Sequence, residues 1–179
     1  MRETATCFTI AANGEHGRFY LTEGNEPDRR GGTTYWCVLV CHTTFGTVGH
    51  TWNSMGGPAS WFLGKVDRDY AIGKLWGSNA DVYDEDVARA RLARLIFEDR
   101  RNHHLNAEQA RAAFDTLVDE ELASEAQYFA LAYSEPFFSI CGGEAPRATV
   151  TNGQAIGFWE KLWPVFIAEL TSEVGACHA

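Results

Sequence analysis

Four residues between positions 37 and 50 carry side chains that can bind a metal or act as a nucleophile. Cys37, Cys41, His42 and His50 supply thiolate and imidazole groups, which are the usual ligands of zinc. Cys41 and His50 are alternatively a nucleophile and its base, provided that neighbouring strands hold them within hydrogen-bond distance. Because side chains alternate along a strand, Cys37 and Cys41 share one face and His42 points to the other. We therefore interpret the cysteines as core thiols, expect no metal or cofactor, and keep Cys41 and His50 as the catalytic candidates of an alternative enzyme hypothesis.

Two further polar clusters are explained by helix ends. Asp67, Asp69 and the acids of residues 81–86 lack the ligand spacing and the glycine of a calcium loop, whereas Asp is a favoured N-cap residue. Residues 100–104 form a small basic island, which suits the C-terminus of a helix; the alternative is that it meets an acidic partner. The sequence therefore predicts caps at these positions and no cation site.

The charge of the chain is unevenly distributed. The formal net charge is −9, yet residues 1–80 carry seven acids and seven bases, so residues 81–179 account for all of it. An acidic surface repels phosphate backbones and attracts basic surfaces, so we expect no direct contact with nucleic acid except through a local basic patch. The alternative is that the charge merely keeps the protein soluble. The candidate binding residues are Asp115, Asp119, Glu120, Glu121, Glu125, Glu160, Glu169 and Glu173.

Length and composition place the chain among globular proteins. The chain has 179 residues, of which 45% are apolar, so we expect a single domain spanning residues 1–179 with its own core. No apolar run is long enough for a membrane helix, and the first residues lack the apolar segment of a signal peptide, so we expect a soluble, cytoplasmic protein. Five scattered cysteines are then reduced thiols: Cys7, Cys37, Cys41, Cys141 and Cys177.

Alternating and apolar patterns predict strands in the first third of the chain. The predicted strands are Thr4–Ala12, Arg18–Thr22, Thr34–Thr43 and Thr44–Asn53. Asn13-Gly14 predicts a tight turn after the first strand, and the polar stretch Glu23–Thr33 predicts a loop. Thr34–Thr43 carries apolar residues on both faces of the strand, so we expect it to be central in the sheet and covered on both sides. These strands form a small antiparallel sheet.

Capping residues and helical spacing dominate the rest of the chain. Helices are predicted with Pro58 in the first turn, after Asp67 or Asp69 as the cap, after Asp84 and after Asn106. Ser124–Tyr133 is predicted to be a further helix or a continuation of the one after Asn106. Val118 is assigned to the apolar face of the helix after Asn106, Phe137–Cys141 to a short strand, and Pro164 to a kink in the last helix. The fold class is α+β: an N-terminal antiparallel sheet (residues 1–55 mostly β) followed by four to six helices (residues 56–179 mostly α).

The stretch that joins sheet and helices resembles a known pattern. Its elements are Gly46, His50-x-Trp52, Met55-Gly56, Phe62-Leu63, Asp67-x-Asp69-Tyr70 and Lys74-Leu75. The pattern, over about residues 34–120, resembles small proteins of unknown function encoded in phages and prophages. The resemblance implies a phage accessory role in the bacterial host cytoplasm, of which counter-defence, as performed by anti-CRISPR proteins, is one form. It supplies no catalytic residues.

These observations lead to one main hypothesis and two alternatives. The main hypothesis is a non-enzymatic phage protein whose acidic helices bind a basic surface on a host protein or ribonucleoprotein complex, competing there with nucleic acid as a DNA mimic. It involves no membrane and no direct nucleic acid, and the protein is a monomer or a homodimer. The alternatives are a small enzyme that uses Cys41, His42 or His50, and a structural protein that self-associates through the helix Trp159–Leu170.

Overall fold

Four strands near the N-terminus form one antiparallel sheet in the order β1-β2-β3-β4. The computed structural model describes residues 4–29 and 31–176, with side chains as far as residue 172. The strands are β1 (Thr6–Ala12), β2 (Glu15–Pro27), β3 (Thr33–Thr43) and β4 (Gly46–Met55). The predicted antiparallel meander is confirmed, and β3 lies between β2 and β4.

The first hairpin follows the predicted turn, but the second is longer than expected. Asn13 and Gly14 adopt the left-handed conformation, with φ angles of 54° and 79°, as an Asn-Gly hairpin turn requires. Glu23–Thr33, predicted to be a loop, instead continues β2 to Pro27, which pairs with Thr33 of β3. The outer part of this hairpin is polar and exposed. It therefore shows no hydrophobic alternation from which a strand could be recognised.

The two faces of the sheet differ in burial. The inner face is covered and carries Phe8, Ile10, Phe19, Leu21, Cys37, Leu39 and Cys41. On the outer face Val40 is 39% exposed and His42 is exposed as well. The prediction that β3 is covered on both sides is therefore wrong. The apolar residues of the neighbouring helices pack against the inner face, and β-branched residues suit an open strand face as well as a buried one.

Helices follow the sheet, and two short strands interrupt them. The helices are α1 (Ala59–Leu63), α2 (Arg68–Trp76), α3 (Glu85–Arg101), α4 (Ala107–Asp119), α5 (Glu125–Ala132), α6 (Phe137–Ile140), α7 (Gly153–Lys161) and α8 (Trp163–Ala176). The short strands β5 (Asp81–Tyr83) and β6 (Thr149–Thr151) pair with each other. Together with the sheet, these helices confirm the α+β fold class. Within the described residues, no helix is long and apolar enough to cross a membrane.

Side-chain caps set the starts of several helices. The carboxylates of Asp67 and Asp84 accept backbone N–H groups of the first turns of α2 and α3, as predicted. Asn106 and Gln109 form the predicted capping box of α4. Pro164 lies in the first turn of α8, where its missing N–H costs no helical hydrogen bond, so the predicted last helix divides into α7 and α8.

The described chain divides into two units, and the second is inserted into the first. Unit 1 comprises residues 1–80 and 151–179, and unit 2 comprises residues 81–150. In the core of unit 1, Phe166 of α8 stacks on Phe19 of β2 with 4.5 Å between ring centroids, and its edge meets Phe8. Whether the two units fold as the single domain expected from the length stays a prediction.

Unit 2 has a core of its own, built from helices. Tyr128, Phe137, Leu92, Ile96 and Leu122 are fully or almost fully buried in it. Phe137–Cys141 was predicted to be a short strand, but Phe137–Ile140 forms α6. The reason is tertiary: one helical turn buries both Phe137 and Ile140, which outweighs the β-propensity of this aromatic stretch.

Candidate functional site: an acidic segment with apolar neighbours

The two catalytic candidates lie on the inner face of the sheet but make no catalytic pair. Strand register places Val48 opposite Cys41 and His50 opposite Leu39, so Cys41 and His50 are diagonal neighbours. Cys41 is fully buried, and burial raises the pKa of its thiol, which favours the unreactive neutral form.

His50 makes a different contact. Its ring meets the indole of Trp52 edge-on, with 4.7 Å between centroids. Burial, followed by the charge of Lys74, lowers the pKa of His50. Among the hydrogen bonds of the described residues, none joins this imidazole to Cys41, and none supplies a third group that would orient it. The geometry does not favour nucleophilic catalysis.

The candidate zinc ligands are divided between the two faces of the sheet. Cys37 faces inward, where its Sγ donates to Sδ of Met55 at 3.6 Å and where burial raises its pKa to about 12. His42 faces outward, and its Nδ1 lies 2.7 Å from Oγ1 of Thr47. Within the part of the chain that the structure describes, no three His, Cys, Asp or Glu residues are grouped to hold a metal ion.

Five of the predicted binding residues come together in residues 115–125, which we name the acidic segment. It joins the end of α4 to the first residue of α5 and contains five acids and no Lys, Arg or His. Asp115 pairs with Arg111 at 3.0 Å. The other four acids are exposed, and no cation of the described residues lies within ion-pair distance of them: Asp119, Glu120, Glu121 and Glu125.

Two side chains from distant positions hold the backbone of the acidic segment. Arg89 of α3 donates to the carbonyl oxygens of Leu117 and Glu120 at 2.7 and 2.8 Å, and so satisfies the open C-terminus of α4. The hydroxyl of Tyr83 donates to the carbonyl oxygen of Leu122 at 2.7 Å, and the Leu122 side chain is fully buried. The carboxylates therefore project from a fixed backbone.

Exposed apolar side chains accompany the acids. Val118 is 63% exposed, although it was predicted to belong to the buried face of α4; that part of the prediction is wrong because unit 2 leaves this side of α4 uncovered. Glu125 and Phe129 of α5 and Tyr133, which caps its C-terminus, follow each other at four-residue spacing and therefore share one face. Phe129 is 39% and Tyr133 54% exposed, and their rings stack at 6.1 Å.

The remaining predicted binding residues belong to unit 1. Glu160 of α7 and Glu169 of α8 are exposed, and the side chain of Glu173 lies outside the described residues. Sequence reasoning did not identify Arg89 and Tyr83 as positioning residues, nor Phe129 and Tyr133 as surface residues. The only sequence signal for the latter pair was an aromatic spacing of four within a short, acid-led helix.

These features define an α+β protein whose candidate site is a charged surface with apolar neighbours rather than a catalytic pocket. A model of a phage protein family, Phage_phiTE_072, matches residues 38–166, and the chain belongs to that family. The match covers all of unit 2 and, in unit 1, the chain from the middle of β3 through α2 and again α7 with the first turn of α8. The phage origin implied by the resemblance is thereby confirmed. Neither the curated proteins nor the solved structures contain a match to the chain.

Proposed function

We propose that this protein is a non-enzymatic, phage-encoded binding protein that inhibits a host defence complex in the bacterial cytoplasm. It docks the acidic segment on a basic surface of that complex and competes there with nucleic acid, in the manner of an anti-CRISPR protein that mimics DNA. The observation that supports this proposal is the set of four exposed carboxylates without a cationic partner among the described residues.

Electrostatics and order both favour binding through this segment. A carboxylate that is not already paired can accept hydrogen bonds from the Lys and Arg side chains that would otherwise hold phosphates, and each such bond contributes about 1.5–3 kcal/mol. Because Arg89 and Tyr83 fix the backbone beforehand, little conformational entropy is lost on binding. Long-range attraction between the opposite charges accelerates association and makes it sensitive to salt.

The exposed apolar side chains beside the acids supply the desolvated contact area that charges alone do not provide. Binding interfaces combine a desolvated apolar centre with a polar rim, and aromatic residues are common anchors. Val118, Phe129 and Tyr133 are large, exposed and part of the same unit as the acids. We therefore assign the acids to the rim and these side chains to the centre of the docking surface.

A charge-reversal experiment tests the proposal. The protein is used to capture partners from a host lysate at low and moderate salt, the captured complex is identified by mass spectrometry, and its affinity is then measured with purified components. The double variant Glu120→Lys, Glu121→Lys should bind at least tenfold more weakly and lose most of the salt dependence. Both positions are exposed and lie beyond the end of α4, so the fold should be kept.

The matched control is Glu108→Lys with Glu144→Lys. It changes the net charge by the same amount at two exposed acids outside the segment, and binding should stay within about twofold of the parent protein. Equal losses in both double variants would reduce the effect to overall charge and would sink the proposal.

Two experiments address the alternatives. If Cys41→Ala with His50→Ala abolishes inhibition while the protein stays folded, the enzyme hypothesis replaces ours. Self-association through α7 and α8 is disfavoured by burial, because Trp163, Phe166 and Leu170 already pack in the core of unit 1. Light scattering at high protein concentration provides the direct measurement.

A further inference from the structure

The outer face of the sheet carries a cationic cavity that the acidic segment does not explain. Pairing between strands places Arg18 of β2 directly opposite Thr9 of β1 and His42 of β3. His16 and Tyr20 stand two residues to either side of Arg18 and therefore point to the same face. These five side chains surround an open cavity of about 390 Å³.

The lining of this cavity is rich in hydrogen-bond donors. The guanidinium of Arg18 offers five N–H donors, the two imidazoles offer more, and Thr9 and Tyr20 add hydroxyls. Among the described residues, Arg18 has no ion-pair partner and no carboxylate lines the cavity. The nearest acid along the chain, Glu15, is instead bound to Lys161 at 2.8 Å.

Two aromatic residues lie on this outer face. Tyr20 lines the cavity itself, and Trp36 of β3 lies across Gly24 of β2, where a side-chain Cβ would come within 2.6 Å of the indole ring. Glycine at this position therefore leaves the space that the indole occupies. Glu26 is the one acid on the outer face of the four described strands β1–β4, where Thr, Val and Gly are the commonest residues.

We propose that this cavity binds the phosphate group of a nucleotide, either free or within single-stranded nucleic acid. An arginine with donors on several sides matches the tetrahedral phosphate, which offers more acceptor directions than the planar carboxylate does. The ring of Tyr20 and, about 13 Å farther along the strand, that of Trp36 provide faces on which bases stack, as on other open sheets that bind single strands. This is the local basic patch that the overall charge of −9 conceals.

The site is tested on the full chain with three phosphate probes: inorganic phosphate, adenosine monophosphate and a short single-stranded oligothymidine. In NMR titrations each probe that binds should shift the side-chain signals of Arg18, His16 and His42. Arg18→Gln should weaken binding about tenfold or more, the loss expected for a charge-assisted hydrogen bond. The control Arg68→Gln removes another exposed arginine of the same unit, one that is already paired with Asp69, and it should leave binding unchanged.

The probes also separate the two sources of phosphate. If the oligomer binds much more tightly than the mononucleotide and Trp36→Ala removes that excess, the ligand is single-stranded nucleic acid; equal affinities assign the site to a free nucleotide. The proposal is overturned if no probe shifts these signals, if Arg18→Gln behaves like Arg68→Gln, or if a glutamate-rich peptide binds as well as the phosphates. None of these measurements involves the acidic segment, so each proposal stands or falls alone.

Discussion

Replacing Tyr128 by phenylalanine removes a single buried oxygen from the core of unit 2. The side chain is fully buried, and its hydroxyl donates to the carbonyl oxygen of Pro146 at 2.5 Å. Tyr128→Phe keeps the ring but leaves that carbonyl without its donor, which costs about 1–2 kcal/mol of unfolding free energy near pH 7.

At alkaline pH the sign of the effect reverses. Burial raises the pKa of Tyr128 to about 12, against about 10 in an unfolded chain. The native state keeps the proton that the unfolded state has already lost, so this residue's contribution is complete below pH 10 and falls as the pH rises to 12. This difference of two pH units between the two pKa values lowers the unfolding free energy of the parent protein by about 3 kcal/mol above pH 12. Tyr128→Phe is free of this loss and should overtake the parent protein near pH 11.

Urea unfolding with two probes measures both effects. All six tryptophans lie in unit 1, so their fluorescence follows unit 1 alone, whereas ellipticity at 222 nm follows both units. The change in unfolding free energy caused by Tyr128→Phe should appear in the ellipticity transition. If it appears equally in the fluorescence, the units unfold together as the predicted single domain.

The control variant is Tyr133→Phe, whose ring is 54% exposed, and its unfolding free energy should change by less than about 0.5 kcal/mol. The reasoning would be refuted if Tyr128→Phe were as stable as the parent at pH 7, or if both proteins lost stability in parallel above pH 10.

Three further outcomes follow from the described contacts. Asn106→Ala removes the capping box of α4 and should cost about 1 kcal/mol, seen as faster amide exchange at the start of that helix, whereas unchanged exchange would contradict the cap. Phe166→Ala should destabilise unit 1 by about 3–5 kcal/mol, seen as a fluorescence transition at a lower urea concentration. A loss below about 1 kcal/mol would contradict the packing on Phe19. A thiol reagent should label exposed Cys7 at once and Cys41 only on unfolding, and fast labelling of Cys41 would mean that the inner face opens in the native state.

What the sequence predicts well is local. The Asn13-Gly14 turn and the caps at Asp67, Asp84 and Asn106 depend on a few neighbouring residues, and each lies where it was expected. The structure of such a motif is decided within one turn of chain, so distant residues have little chance to override it.

The features that sequence reasoning missed depend on distant contacts. Val118 follows the apolar spacing of α4, but only the packing of unit 2 decides that it stays exposed. Arg89 reaches the carbonyl of Glu120 across 31 positions, and Tyr83 reaches that of Leu122 across 39. The acids of the candidate site could therefore be identified from composition, whereas the scaffold that orders them and the apolar side chains beside them could not.

The pairing of β5 with β6 also affects the order in which the chain can fold during synthesis. Unit 2 is complete once residue 150 has been made, whereas unit 1 awaits α7 and α8, whose Phe166 completes the stack on Phe19. The Asn152 N–H donates to the Ala80 carbonyl at 2.8 Å, so a folded unit 2 brings the two separated parts of unit 1 to adjacent positions. Closing an equivalent flexible loop of about 70 residues would cost roughly 4 kcal/mol of chain entropy. If unit 2 folds as soon as it has been made, the docking of α7 and α8 on the already complete sheet becomes a nearly local event.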